Sequence, residues 1–235
     1  MDFNCLAEKN VELFAGLCCA EINEMLECLG ARHADYEKGS YLLMEGDSLK
    51  YVGVVLEGQA AVFKTDSLGN RALLSPVLPS ELFAEALVCA GIKVSPVTVE
   101  ALTPVKALLI PFDRIMTRCP ACCSHHNLLI RNMLRIVAYK AIAMSEKFDH
   151  VAHKTTRQKL ASYLLSCAAR KGSNRFTVDL DRQGMADYLC VNRSALSREL
   201  SRISEDGTVS YHRSSFFIRD PERLELILLG EAGGE

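Results

Sequence analysis

The chain changes hydrophobic rhythm three times along its length. Up to residue 30 the apolar positions recur at helical spacing. Leu13 and Phe14 are followed by Ile22, Met25, Leu26 and Leu29, with Gly30 a natural stop. From about 32 to 112 the runs shorten. Gly46, Gly58 and Gly69 mark turns 11 or 12 residues apart, and Val54, Leu56, Ala60 and Val62 sit at period-two spacing. Evenly spaced short strands with glycine turns predict a β-sandwich or barrel. From 124 to 148 the period becomes helical again. Ile130, Leu134, Val137, Ala141, Met144 and Phe148 follow a 4-3-4-3-4 spacing. Such a heptad seam, roughly 37 Å long at the helical rise, predicts a parallel homodimer. The other reading packs the seam on the barrel of its own chain.

Residues 149–155 read as a hinge and TRQKLASYLLSCAARKG as a helix closed by Gly172. FTVDL reads as a strand, and residues 207–219, GTVSYHRSSFFIR, alternate like a hairpin. Between them, DRQGMADYLCVNRSALSRELSRI reads as two short helices joined by a tight turn. The first runs from about Arg182 to Leu189, with Asp181 as N-cap and Met185, Ala186 and Leu189 on one apolar face. Asn192 stands where it can cap the second, in which Leu196, Leu200 and Ile203 turn inward. Arg193, Ser194, Ser197, Arg198, Ser201 and Arg202 are left outward. An apolar inner stripe under an Arg/Ser outer face fits the major groove, where an arginine can bond guanine O6 and N7 together. Read blandly, the same helix is an ordinary surface helix with a solvated face. The expected class is therefore α+β: an N-terminal β-roll domain at 1–123, a dimerisation helix at 124–148 and a winged helix-turn-helix at 149–235.

Charge changes the weighting of those readings. The chain has 27 Lys+Arg and 29 Asp+Glu, a formal net charge of -2, unevenly spread. Residues 150–219 hold 12 basic and 6 acidic side chains, a net of +6, and the remainder is acidic. The positive block contains the two-helix motif, which favours a phosphate-facing surface. No run of about 18 apolar residues appears, so no spanning helix and no membrane partner are expected. The acidic start, MDFNCLAEKNVELF, does not read as a signal peptide. Ten cysteines without such a signal place the protein in a reducing cytoplasm.

This order of parts resembles the Crp/Fnr family of bacterial transcription regulators, over about residues 10–220. EGDSLKYVGVVLEGQAAVFKTDSLGNRALLSPV looks like the family's β-roll, a cyclic-nucleotide-binding-like jelly roll, and DRQGMADYLCVNRSALSREL like its DNA-reading unit. The resemblance implies a homodimer on double-stranded DNA at a near-palindromic site, a small-molecule effector site in the roll, and contact with RNA polymerase. It places Arg193, Ser194 and Arg198 at base-reading positions and Arg182 and Gln183 at phosphate-contacting ones. Ser194 replaces the acidic residue common at its position, which implies a different half-site.

At the effector site this chain departs from the family pattern. There a Gly-Glu pair and an Arg-Ser or Arg-Thr about ten residues on hold a cyclic nucleotide. Glu85 matches the ribose-binding acid, Ala84 stands for Gly, and Ser95-Pro96 stand where Arg-Ser would be. A cyclic phosphate would lose its bidentate cation, and Lys93 is a single point charge on a flexible stem. The expectation is that cAMP is not the effector. A pocket lined around Val54, Leu56 and Val62 would suit a smaller, less charged ligand, with Glu85 serving either as ligand contact or as a brace.

Cys119, Cys122, Cys123, His125 and His126 form the second notable cluster. Three readings stand open: buried structural cysteines, redox or metal sensing through thiol, zinc or an iron–sulfur cluster, and haem through a histidine. The oxygen-sensing branch of the family uses N-terminal cysteines; Cys5, Cys18, Cys19 and Cys28 lie in that region without its tight spacing. No cofactor is required by any other feature. A cupin-like metalloenzyme would share the strand rhythm. It needs clustered histidines inside the barrel, and none occurs between 34 and 124. An effector-binding module without DNA binding would leave Arg193 and Arg198 unexplained.

Overall fold

A computed structural model describes residues 10–68, 71–117 and 125–231. A 3-10 turn at Glu12–Phe14 precedes helix α1, Cys19–Leu29. The predicted opening helix is thus two pieces, and Gly30 ends the second in the left-handed region at φ 66°. Eight strands follow: β1 Arg32–Tyr36, β2 Tyr41–Leu43, β3 Tyr51–Glu57, β4 Ala60–Thr65, β5 Arg71–Val77, β6 Leu82–Phe83, β7 Thr98–Ala101 and β8 Val105–Pro111. Helix α2, Glu85–Cys89, interrupts them and α3, Phe112–Met116, closes the set. They form two antiparallel four-stranded sheets, in orders β1-β8-β3-β6 and β2-β7-β4-β5.

Period-two alternation gives each sheet two faces with different jobs. Val55, Ala60, Val77, Phe83, Val99, Ala101, Val105, Ala107 and Leu109 pack together in the interior between the sheets. Val52, Val54, Leu56, Leu108 and Ile110 point the other way and bury against Leu13, Leu26, Leu29 and Ile115. Helix α4, His126–Val151, adds Leu129, Met133 and Ile136 to this outer cluster. At helical spacing these three share one face and are 0%, 3% and 5% exposed, so each adds about 1.5–3 kcal/mol of burial.

The chain divides into two compact units between Tyr139 and Lys140, inside α4. In the second unit α4 continues past the expected hinge start, because His150 is buried and bonds the Ser162 hydroxyl at 2.8 Å. Helix α5, Thr156–Lys171, starts with a capping box: the Gln158 N–H donates to Thr155 Oγ1 and the Thr155 N–H to Gln158 Oε1. Next come β9 Arg175–Thr177, α6 Arg182–Tyr188, α7 Arg193–Glu205, β10 Val209–His212, β11 Ser215–Ile218 and α8 Pro221–Leu229. The strand read in FTVDL is shorter than expected and ends at Thr177. The three strands pair antiparallel in the order β10-β11-β9, forming the wing. One core holds the unit, with Leu160, Leu164, Met185, Leu196, Leu200, Ile203, Phe216 and Leu224 at its centre.

Candidate nucleic-acid interface and sensing roll

Helix α6 begins where Asp181 Oδ1 accepts the Gly184 N–H at 2.7 Å. Met185, Ala186 and Leu189 are 1%, 0% and 0% exposed, which anchors α6 on the core. Cys190 then takes a left-handed φ of 52° and the chain reverses into α7. Asn192 occupies the N-cap position without a side-chain bond to the helix backbone; its Oδ1 accepts the Ser194 hydroxyl at 3.3 Å. The expected cap is therefore positional only. Leu196, Leu200 and Ile203 are fully buried, and that phase turns Arg193, Ser194, Arg198 and Arg202 to the exterior. Ser197 and Ser201 are half-buried.

The outward arginines are not equivalent. Arg202 is held by Glu199 at 2.8 Å across one helical turn. Arg193 and Arg198 have no carboxylate partner among the described residues. A solvated, unpaired guanidinium keeps all five donors for a planar acceptor.

Arg182 is half-buried beneath this surface, its guanidinium 5.1 Å from the Tyr211 ring centroid in the wing. Burial pushes its pKa down, Tyr211 opposes that, and Arg193 pushes it down again. It remains a cation at neutral pH. Its Nη1 is buried with no hydrogen-bond partner, and Nη2 reaches the Arg213 carbonyl at 3.5 Å. Gln183 is exposed, but its Nε2 donates to Asp187 Oδ1 at 2.8 Å, so a phosphate would have to displace a carboxylate. Arg213, at the wing tip, escaped the sequence analysis. It adopts a left-handed φ of 54° and is exposed. The RSS turn in the predicted hairpin was the available signal.

In the first unit the proposed pocket residues fall into two different clusters. Val54 and Leu56 lie in the outer cluster under the helices, whereas Val62 packs on the interior cluster. Register explains it: 54 and 56 occupy one face of β3, and 62 belongs to the other sheet. Ser95 is 2% exposed; its hydroxyl donates to the Val97 carbonyl at 2.7 Å and accepts the Val97 N–H at 3.3 Å. Glu85 is 3% exposed at the start of α2, and Ala84 before it holds φ 63°, the conformation a glycine would take without strain. Lys93 is exposed. A cavity of about 290 Å³ in this unit is lined by Arg32, Tyr36, Lys50, Tyr51, Phe83 and neighbours.

Along the seam, Leu134, Met144 and Phe148 are 69%, 68% and 69% exposed, with Ala141 exposed as well. Tyr139 and Ile142 are also exposed, on other faces of α4. Val137 is half-buried, and Ile130 packs partly on its own roll's outer cluster. Cys119, Cys122 and Cys123 lie outside the described residues, as does Cys5. His125 Nε2 lies 3.2 Å from a Glu21 carboxylate oxygen, and His126 Nε2 lies 3.0 Å from the Arg114 carbonyl. Both rings are thus engaged by the protein itself. Cys18, Cys28, Cys89, Cys167 and Cys190 are thiols outside any disulfide, whereas Cys19 is disulfide-bonded, a departure from the fully reduced set expected. Among the described residues no helix is long and apolar enough to cross a membrane.

A β-roll followed by a long helix and a winged helix-turn-helix with free guanidiniums defines a DNA-binding transcription regulator. Residues 158–227 match the Crp-like helix-turn-helix domain, and residues 34–119 match the cyclic nucleotide-binding domain. The chain is 26% identical to the transcriptional activator protein FnrL of Cereibacter sphaeroides, over 86% of this chain and 81% of that protein. It is 24% identical to the nitrogen fixation regulation protein FixK of Bradyrhizobium diazoefficiens, covering 91% and 88%. The crystal structure of the Thermus thermophilus catabolite activator protein shares the fold with a TM-score of 0.51 at 22% identity, covering 94% and 100%. The chain belongs to the Crp/Fnr family of transcription regulators. Members of that family bind DNA and typically act as dimers with RNA polymerase.

Proposed function

We propose that this chain, in the cytoplasm, reads a near-palindromic operator as a homodimer, with Arg193, Ser194 and Arg198 on base edges and Arg182 and Gln183 on phosphates. The carrying observation is the pair of unpaired guanidiniums on the outward face of α7, beside Arg202, which its own Glu199 neutralises. Arg213 at the wing tip is a further phosphate contact. The apolar seam exposed on α4 supports pairing with a second copy, which sets two copies of α7 on two half-sites. RNA polymerase is the expected protein partner, as for relatives named as activators.

The roll unit is the sensor, and cAMP is not its effector. A cyclic phosphate needs a cation where the chain has Ser95, whose hydroxyl is already occupied by Val97, and Pro96 has no N–H to offer. The test of the DNA reading is a footprint on selected genomic fragments with the native protein, Arg193→Ala and Arg198→Ala. Each substitution is expected to cost about 1–3 kcal/mol and to relax the preference at one base pair. Unchanged affinity and unchanged preference in both variants would overturn the assignment.

A further inference from the structure

β1 begins with an exposed cation, Arg32, on the face of its sheet that carries the interior cluster. β1 pairs with β8 so that Arg32 stands opposite Leu109, and β3 pairs with β8 so that Gly53 stands opposite the same Leu109. Directly opposed residues of antiparallel strands share a face. Leu109 belongs to the interior cluster, so Arg32 is carried on that same face of the sheet while remaining exposed. Its Cζ lies 4.8 Å from the centroid of the Tyr51 ring, which packs on the same cluster. No carboxylate among the described residues pairs with it.

Around Arg32 lies the cavity of about 290 Å³, with Tyr36, Tyr51 and Phe83 as aromatic wall and Lys50 and Asp47 at the edge. The Asp47 carboxylate already accepts the Met44 N–H at 2.8 Å, bracing a turn. Phe83 reaches its place because residue 53 is glycine: a Cβ there would lie 1.9 Å from the Phe83 ring. Burial pushes the Tyr36 phenol above its ordinary range, against a smaller pull from Arg32, so it is a hydroxyl at neutral pH and can donate a hydrogen bond.

We propose that the roll binds a small aromatic carboxylate, its anion held by Arg32 and its ring set among Tyr36, Tyr51 and Phe83. This rests on the reading of the roll as the sensor. A guanidinium takes a carboxylate through two parallel hydrogen bonds, with charge assistance. Three aromatic side chains offer edges and faces to a ring, where a bare inorganic anion would leave them unused. The volume sits at the lower end of the roughly 300–1,000 Å³ typical of ligand sites, which suits one ring with a short acid arm. The ligand is therefore anionic, where the sequence pattern alone had favoured a less charged one. Its cation comes from β1, on the opposite side of the fold's sequence order from Ser95.

Calorimetric titration of the full chain tests this, with benzoate, phenylacetate and 4-hydroxybenzoate as probes. Cyclohexanecarboxylate, orthophosphate and cAMP serve as comparators. At least one aromatic acid is expected to bind saturably, with cyclohexanecarboxylate at least tenfold weaker and orthophosphate and cAMP blank. Arg32→Gln is expected to weaken the aromatic acid at least tenfold, and Tyr51→Leu severalfold. Lys93→Gln should leave it unchanged. Thermal melting of each variant shows that the roll is folded, and Tyr51→Leu keeps the test alive if Arg32→Gln is not. No saturable aromatic acid, equal binding of cyclohexanecarboxylate, or full binding by folded Arg32→Gln would each overturn the proposal. A gel shift on the same preparation separates the two readings. If specific DNA binding persists while every titration is blank, only the ligand proposal falls.

Discussion

Helix α7 and the roll both present a guanidinium that no carboxylate among the described residues neutralises, and they arrive at it by different routes. Arg193 and Arg198 lie on one helix, whose buried Leu196, Leu200 and Ile203 fix the phase that turns them outward. Arg32 and Tyr51 sit on β1 and β3, which do not pair with each other; β8 between them sets the register of both. The first site is local and the second composite. What they share is that availability is decided by neighbours: Arg202, on the same helix as Arg193, is consumed by Glu199. Residue type names a candidate contact, and the surrounding ion pairs decide whether it is free.

The largest expected effect breaks the local site through its core. Leu196 is fully buried, and Leu196→Ala should cost the second unit about 2–5 kcal/mol. In a melting experiment its transition should fall by about 10 °C or more while the roll unit's stays put. A parallel fall in both transitions would show that the two regions are not separable. Next is the seam. Leu134 is 69% exposed, so Leu134→Glu should leave each chain folded and shift sedimentation from dimer toward monomer. A dimer unchanged in mass and affinity would remove α4 as the pairing surface.

A smaller effect sharpens the contrast within the DNA-reading unit. Arg182 carries a buried, unpartnered Nη1, and Arg182→Ala should weaken binding to all sequences alike. The slope of log affinity against log salt should flatten by about one. A change in base preference instead would move Arg182 into the base-reading set. The smallest effect concerns pH. His150 is 4% exposed, and burial holds its pKa below 6.5, helped by Arg170 and His153 and opposed by Glu146 and Asp149. The unfolded chain therefore takes up a proton that the folded unit resists. Stability should be fully present above about pH 6.5 and fall as pH drops through and below that value, toward the depressed folded pKa. Melting at pH 7.5 and 5.5 should show this in the second unit, and His150→Asn should shrink the difference. An equal pH dependence in the variant would assign the effect elsewhere.

Much of the fold was legible in residue order because it rests on short-range periodicity. The 3.6-residue phase of 193–203, the strand rhythm of 32–112 and the glycine stops at 30 and 172 are each set by nearest neighbours along the chain. So the order of elements, the outward arginines and the exposed stretch of the α4 seam could all be read directly. The helix seam was ambiguous at Ile130, because its start also packs on the roll, and only the docked sheet reveals that. The grouping of Val54, Leu56 and Val62 was split for the same reason. Alternation shows that Val54 and Leu56 share a face but not which face is interior. That depends on which side of the sheet the helices cover. Arg32 gave no local signal at all, since its partners Tyr51, Phe83 and Leu109 are distant in the chain and meet it only through strand register. Helical phase is a property of a dozen consecutive residues, whereas a cavity is a property of the surfaces that close it.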